Sequence, residues 1–174
     1  MLDRNLWRKQ GKVWGKSLLV ILLISLALWL ARGEKYTFTP DTSFTTITGE
    51  QLTLKALQGR PALITFWATS CGLCVREIPH LVSLHRQFHP QGLEIIAIAM
   101  VYDPPNRVVA MANEQKLPYR IVLDLKSDYA KAFGHIWGTP TTLLLGSDGT
   151  VAKRIVGAFD LMDMQTRIQK LLGG

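Results

Sequence analysis

The stretch FWATSCGLC, residues 66–74, contains both cysteines of this 174-residue chain. The apolar segment that leads into it, PALITFW at 61–67, is typical of a buried strand. Apolar residues then recur at roughly helical spacing over 75–88. The sequence therefore places a Cys-x-x-Cys pair, Cys71 and Cys74, where a buried strand gives way to a helix.

That position favours reactive cysteines. The first turn of a helix has unpaired backbone N–H groups and the positive end of the helix dipole, and both favour a thiolate over a thiol. The thiolate is the species that attacks disulfides, and two cysteines three residues apart can close into a small disulfide that reopens easily. We predict a thiol–disulfide exchange centre with Cys71 as the nucleophile and Cys74 as the resolving cysteine.

Two other interpretations of the cysteine pair are weaker. A tetrahedral zinc site needs about four ligands, and the ligands beyond the two cysteines would have to be histidines that lack the compact spacing of a zinc finger. These histidines are His80, His85, His89 and His135. A purely structural disulfide is disfavoured because so short a loop gives little loop-closure stabilisation.

The net charge of +7 raises the question of a nucleic-acid partner. Much of the excess lies in residues 1–16, where five basic side chains face one acidic residue, Asp3. From Glu34 onward there are fourteen basic and twelve acidic residues, so the globular part is close to neutral. Because no basic stripe is present, the sequence does not favour nucleic-acid binding.

An uncharged and almost wholly apolar run, SLLVILLISLALWLA at 17–31, follows the basic segment. At 1.5 Å per residue it falls short of a ~30 Å hydrocarbon core, but Val13 and Trp14 extend it. Flanking lysine, arginine and tryptophan side chains suit the membrane interfaces. We therefore predict a basic cytoplasmic tail at 1–16 and a transmembrane anchor at 17–32.

A cleaved signal peptide is the alternative interpretation of this apolar run, whose length also fits an h-region. It lacks a small-x-small cleavage site ahead of Glu34, because Trp29 lies two residues before Ala31. With the anchor retained, the positive-inside rule keeps the basic tail in the cytoplasm. Everything from about Gly33 would then lie outside, which in a Gram-negative cell is the periplasm, where disulfides persist.

The rest of the chain divides into a polar linker at 33–43 and a domain at 44–174. A hairpin is predicted over 44–54 around Gly49, and a buried strand over 93–101. Other predicted elements are helices at 106–115, 128–133 and 161–172, with Asp160 capping the last, and strands at 119–123, 143–145 and 151–156. This order predicts an α/β fold, with helices on both faces of a mixed β-sheet and an extra N-terminal β-hairpin.

A second motif, Gly138-Thr139-Pro140, stands before a late strand. With Phe-Trp-Ala-x-x-Cys-x-x-Cys after the first central strand, this order resembles the thioredoxin superfamily over about residues 40–172. The anchor, the hairpin, the position of Glu77 and the turn at 147–150 resemble the membrane-tethered TlpA, ResA and CcmG proteins. The Cys-Gly-Leu-Cys motif and the size are most similar to the ScsD proteins, suppressors of copper sensitivity.

The resemblance implies roles for six residues. Cys71 would be the exposed attacking thiolate and Cys74 the buried cysteine, and the two would form the redox disulfide. The remaining four would support them: Pro140 as a cis-proline beside the disulfide, Thr139 pairing its backbone with the client, Trp67 shielding the site, and Glu77 as an acidic residue beside the dithiol. A solvated helix carboxylate is the other interpretation of Glu77.

The chain departs from the family pattern at three places. Ser70 stands where a tryptophan usually precedes the first cysteine, which removes part of the apolar surface offered to clients. Thr65 occupies the position of the buried aspartate of ordinary thioredoxins, so Glu77 is the remaining candidate for a proton acceptor. The pair between the cysteines is Gly72-Leu73, and these residues strongly influence the redox potential.

The resemblance implies a membrane-anchored reductase that exchanges disulfides with client proteins. The clients would be haem-site cysteines of cytochrome c or a copper-stress thiol protein, and a DsbD-type membrane protein would return electrons. Exchange needs no metal or organic cofactor, and we expect a monomer. The alternatives are a disulfide oxidase using the same residues, or a copper-delivery module using Cys71, Cys74 and His135.

Overall fold

The computed structural model describes residues 21–22, 24–25 and 41–173. The chain divides into two compact units, Met1–Lys35 and Tyr36–Gly174. In the first unit the four described residues are helical. The predicted tail at 1–16 and most of the predicted anchor and linker lie outside the described residues. Within the described part, no helix is long and apolar enough to cross a membrane.

The described part of the second unit begins with two short antiparallel strands, β1 (Ser43–Thr45) and β2 (Gln51–Thr53), so the first strand starts one residue before the hairpin predicted over 44–54. Gly49 has a φ of +84° in the turn between them, a conformation that glycine adopts without strain. The N–H of Ile47 donates to the carbonyl of Ile121 at 2.9 Å, which attaches the turn to the edge of the main sheet.

The main sheet has five strands in the order β5-β4-β3-β6-β7. They are β3 (Ala62–Trp67), β4 (Glu94–Ala99), β5 (Arg120–Leu123), β6 (Thr141–Leu145) and β7 (Val151–Val156). Strands β3, β4 and β5 are parallel, whereas β6 and β7 run antiparallel to their neighbours. The first predicted strand therefore lies at the centre of the predicted mixed sheet, buried along its whole length.

Four α-helices accompany the sheet: α1 (Gly72–Phe88), α2 (Pro105–Glu114), α3 (Asp128–Ala132) and α4 (Leu161–Leu172). Short 3₁₀ helices occupy Lys55–Leu57 and His89–Gln91. The Asp160 carboxylate accepts a hydrogen bond from the N–H of Asp163 at 2.8 Å, so this residue caps α4 as predicted. Helix α1 begins three residues earlier than the apolar pattern from Val75 indicates, because Cys71 is its N-cap.

The two faces of the sheet bury separate apolar cores. One core joins α1, α2 and α4 through residues such as Leu84, Val108 and Ile168. The other lies under the hairpin and α3 and contains Phe44 and Phe133. Helices and hairpin thus cover both faces, which leaves the strand ends as the place where loops carry exposed functional groups.

Candidate active site

Three loops meet at one end of the sheet. The turn 68–71 follows β3, the loop 100–104 follows β4, and the loop 138–140 precedes β6. In the sheet register Trp67 lies opposite Ala99, and Phe66 lies opposite Thr141. Because β6 runs antiparallel to β3, its first residue lies beside the last residues of β3, so the two sequence motifs come together.

The turn after β3 presents Cys71 at the start of α1. The N–H of Cys71 donates to the carbonyl of Ala68 at 3.1 Å and closes the turn. Cys71 has extended backbone angles as the N-cap, and the N–H of Cys74 donates to its sulfur at 3.2 Å. This N–H is one of the donors that a helix leaves unpaired at its first turn, so it stabilises negative charge on the Cys71 sulfur.

The two cysteines differ in accessibility. Cys71 and Cys74 are joined by a disulfide, with their Cα atoms 5.2 Å apart. Cys71 is half-buried, whereas only 3% of Cys74 is exposed. The first sulfur is therefore the more accessible to an incoming disulfide, while the second stays shielded.

The loop before β6 lies directly against the disulfide. The peptide bond between Thr139 and Pro140 is cis, and Pro140 is buried. The carbonyl oxygen of Thr139 lies 3.5 Å from the Cys71 sulfur. A client strand bonded to Cys71 would thus meet the backbone of Thr139, which is the geometry that the resemblance implies.

Trp67 lies beneath the site rather than on its surface. It is the last residue of β3, is almost fully buried, and belongs to the same apolar core as Cys74. Its indole Nε1 has no hydrogen-bond partner among the described residues. Trp67 therefore contributes to the apolar core against which the two cysteines pack, rather than to a surface that a client could contact.

Glu77 is buried, so its interpretation as a solvated helix carboxylate is wrong. It follows Cys74 by one helical turn, and only 3% of it is exposed. Its Oε1 accepts a hydrogen bond from the N–H of Phe159 at 2.9 Å. Burial raises the pKa of Glu77 above its ordinary value, and the hydrogen bond from Phe159 lowers it by a smaller amount.

An uncharged residue, Thr65, occupies the position at which ordinary thioredoxins have a buried aspartate. Thr65 is buried, and its hydroxyl lies 2.9 Å from the Thr142 hydroxyl on β6. Neither group can take up a proton near neutral pH. Glu77 thus remains the carboxylate on the cysteine-bearing helix that shares a buried face with Cys74.

Three residues near the site were missed by the sequence interpretation. Asp103 is buried, and its two carboxylate oxygens accept hydrogen bonds from the N–H and the hydroxyl of Thr69, both at 2.6 Å. The Tyr102 hydroxyl lies 3.2 Å from that of Thr139. Trp137, two residues before Thr139, is 85% exposed. In the sequence, Tyr102 and Asp103 only break a strand, and a tryptophan normally indicates a buried position.

The histidines do not complete a metal site around the cysteines. Among the described residues, no three histidine, cysteine, aspartate or glutamate side chains are grouped so that they could hold a metal ion. His85 and His89 stack on each other, with ring centroids 4.4 Å apart, near the other end of α1. His135 lies in the segment before the cis-proline loop with a φ of +52°.

Comparison with known proteins identifies the family of the chain. A family model described as Redoxin matches residues 33–169. The thiol-disulfide oxidoreductase ResA of Halalkalibacterium halodurans is 34% identical over 105 residues, 60% of this chain and 58% of that protein. ResA of Geobacillus thermodenitrificans is 30% identical over 76% of this chain and 75% of its own length.

A thioredoxin-family thiol:disulfide interchange protein from Chlorobium tepidum has a similar solved structure. Its TM-score is 0.71 at 25% identity, and the match covers 81% of this chain and 99% of that one. The fold and the cysteine pair define the class, a thioredoxin-like protein-disulfide oxidoreductase. The chain belongs to the Redoxin family, in the ResA- and CcmG-like branch of the thioredoxin superfamily.

Proposed function

We propose that this chain is a membrane-anchored disulfide reductase in which Cys71 attacks client disulfides and Cys74 resolves the intermediate. The proposal rests on the difference in exposure between the two cysteines. Cys71 is partly exposed beside the cis-proline loop, whereas Cys74 is buried one helical turn from the carboxylate of Glu77. A client thus meets one sulfur, and the other acts only from inside the protein.

The reaction balances in two steps. The Cys71 thiolate attacks one sulfur of the client disulfide, forming a mixed disulfide and releasing the first client thiolate. Cys74 then loses its proton and attacks the Cys71 sulfur, which releases the second client thiolate. Both client thiolates take up protons from the solvent, so the client gains two electrons and two protons, while the Cys71–Cys74 dithiol gives up its own two protons and becomes a disulfide.

Glu77 supplies a proton acceptor for the second step. A buried thiol resists ionisation because its charged form is poorly solvated. A carboxylate whose pKa is raised by burial binds a proton more readily than an exposed one, so Glu77 can take the Cys74 proton and later return it. Its hydrogen bond with the N–H of Phe159 fixes the carboxylate on the helix face of Cys74.

The cellular setting is part of the proposal. The basic segment 1–16 and the apolar run 17–31 support an uncleaved anchor with a cytoplasmic N-terminus and a periplasmic domain at the inner membrane. A reductase in that compartment needs a donor, for which we propose a DsbD-type membrane protein. Proteins with disulfides to be opened, in cytochrome c maturation or copper stress, are the proposed clients of a monomeric chain.

An oxidase would use the same residues in the opposite direction, so the reduction potential distinguishes the two. We would equilibrate the purified full chain with glutathione buffers and measure the oxidised fraction. A potential of about −230 mV or below, in the range of thioredoxin and glutaredoxins, would support the reductase. A potential near about −120 mV, like that of a strong periplasmic oxidant, would overturn it.

Covalent trapping distinguishes exchange from copper delivery. Cys74→Ser should leave Cys71 joined to a client, because the resolving sulfur is gone. Cys71→Ser is the matched control and should trap nothing, because the remaining cysteine is buried. A chain that binds Cu(I) through both cysteines, loses the metal in either variant and traps no client would instead be a copper carrier.

A further inference from the structure

The loop after β4, residues 100–104, is tied to the end of β3. The N–H of Met100 donates to the carbonyl of Trp67 at 3.0 Å, and the N–H of Asp103 donates to the carbonyl of Met100 at 2.9 Å. The loop is therefore held by main-chain hydrogen bonds, and its side chains have defined positions relative to the active-site turn.

Asp103 fixes the turn that carries Cys71. Its Oδ2 accepts from the N–H of Thr69 and its Oδ1 from the hydroxyl of the same residue, each at 2.6 Å. A buried carboxylate needs such donors to offset the loss of water, and two donors from one residue leave it a single orientation. Thr69 stands two residues before Cys71, so Asp103 sets the path of the chain into the nucleophile.

Tyr102, the neighbouring residue, contacts the opposite side of the site. Its hydroxyl lies 3.2 Å from the Thr139 hydroxyl, and the Thr139 carbonyl lies 3.5 Å from the Cys71 sulfur. One loop thus contacts both the turn of the nucleophile and the loop that meets the client backbone.

We propose that Asp103 and Tyr102 are positioning residues for disulfide exchange. They hold the Cys71 sulfur and the Thr139 backbone at the separation that one extended client segment must span. The inference rests on the exchange function proposed above, because a client has to meet both groups at once. The described hydrogen bonds of these two residues go to Thr69 and Thr139 and not to a cysteine sulfur, so each acts through the residue to which it is hydrogen-bonded.

A second aspartate and tyrosine, Asp124 and Tyr129, make the same kinds of hydrogen bond away from the cysteines. Asp124, directly after β5, is buried and accepts hydrogen bonds from the N–H groups of Tyr129 and Ala130 at 3.2 and 2.8 Å. The Tyr129 hydroxyl donates to the carbonyl of Ser43 at 2.7 Å. Asp124→Asn and Tyr129→Phe therefore control for the general cost of losing a buried carboxylate or a phenol hydroxyl.

The test compares two probes of the reduced full chain, each applied at a temperature where the variant is folded. Iodoacetamide reacts with Cys71 alone. The second probe is a short peptide with a central cysteine, joined to a second copy of itself by a disulfide. To react with Cys71, this peptide must also contact the Thr139 backbone. Asp103→Asn should change the pH dependence of alkylation and slow reduction of the peptide disulfide at least fivefold. Tyr102→Phe should slow only the peptide reaction, at least threefold, with alkylation within twofold of wild type.

The control variants should lower the melting temperature yet leave both rates within twofold of wild type. If Asp124→Asn and Tyr129→Phe slow the reactions as much, or if neither test variant changes them, the positioning role is wrong. Should Asp103→Asn fail to fold, Thr69→Val removes one of the two donors and should still alter alkylation. A wild-type chain that alkylates normally but reduces no disulfide would refute the proposed function, while the alkylation comparison would still test Asp103.

Discussion

The stability of the folded chain should depend on whether Glu77 is ionised. Its folded-state pKa is raised, chiefly by burial, above the value of 4.5 expected for the unfolded chain. Between those two values the folded state binds more protons than the unfolded state, so the stability contributed by this residue is present below pH ~4.5 and is lost as pH rises through the folded pKa. Neutral Glu77 is thus better tolerated in the fold than the carboxylate.

Glu77→Gln should therefore raise the melting temperature of the oxidised chain at pH 7 and have little effect at pH 4. Glutamine keeps an oxygen for the N–H of Phe159 but carries no charge. Each kcal/mol gained corresponds to ~4 °C for a domain of this size. Thermal unfolding at both pH values tests this, and a variant less stable than wild type at pH 7 would contradict it. Because Glu77 is the proposed acceptor of the Cys74 proton, the same variant should also slow the attack of Cys74 on the mixed disulfide.

Trp137 offers a large apolar surface next to the cis-proline loop. The tryptophan that usually precedes the first cysteine is replaced by Ser70 in this chain. We expect Trp137→Ala to raise KM for a protein disulfide severalfold while the reaction of Cys71 with iodoacetamide stays unchanged, because the ring contacts the client and not the sulfur. Leu125→Ala, at an exposed leucine beyond β5, is the matched control. Equal effects of the two variants would show that Trp137 has no special role.

At the scale of the element, α1 is held to the sheet by its buried apolar face, which includes Leu81, Leu84 and Phe88. Leu84→Ala should lower the free energy of unfolding by about 2–5 kcal/mol, because it leaves a cavity in a packed core. Leu125→Ala removes the same atoms from an exposed site and should change it by less than about 0.5 kcal/mol. Urea unfolding measures both, and similar losses would argue against this packing.

The last turn of α1 contains a pH-sensitive histidine, His85. Burial, followed by repulsion from His89, lowers the pKa of His85 below 6.5. The unfolded chain then binds the proton first, so the stability contributed by neutral His85 is present above pH ~6.5 and is lost as pH falls towards the folded pKa. His85→Gln should reduce this loss between pH 7.5 and 5, as followed by urea midpoints. An unchanged pH profile would show that His85 does not contribute.

At the scale of the whole molecule, the decisive question is how the domain is attached. If 17–32 is an uncleaved anchor, the intact mass of the chain extracted from membranes should include Met1–Lys35, and alkaline carbonate should not release it. A mature first residue between Arg32 and Lys35 would instead show that the apolar run is a signal peptide.

Much of the fold follows from local patterns in the sequence. Nearly continuous apolar runs at 61–67 and 93–101 predict two buried strands, and both form with ends no more than two residues from those expected. Helical periodicity after Cys74 predicts α1. Such patterns depend on the residues of one segment, because a strand or helix must bury its own apolar side chains whatever it packs against.

The sequence by itself determined that a reactive cysteine pair begins a helix after a central strand, and that Gly138-Thr139-Pro140 precedes a late strand. Only the tertiary structure decided that Glu77 is buried against Phe159, that Asp103 accepts from Thr69, and that Trp137 is exposed. The physical reason is distance along the chain. The Glu77–Phe159 and Asp103–Thr69 partners lie 82 and 34 residues apart, so the environment of each polar group depends on how the strands are ordered in the sheet.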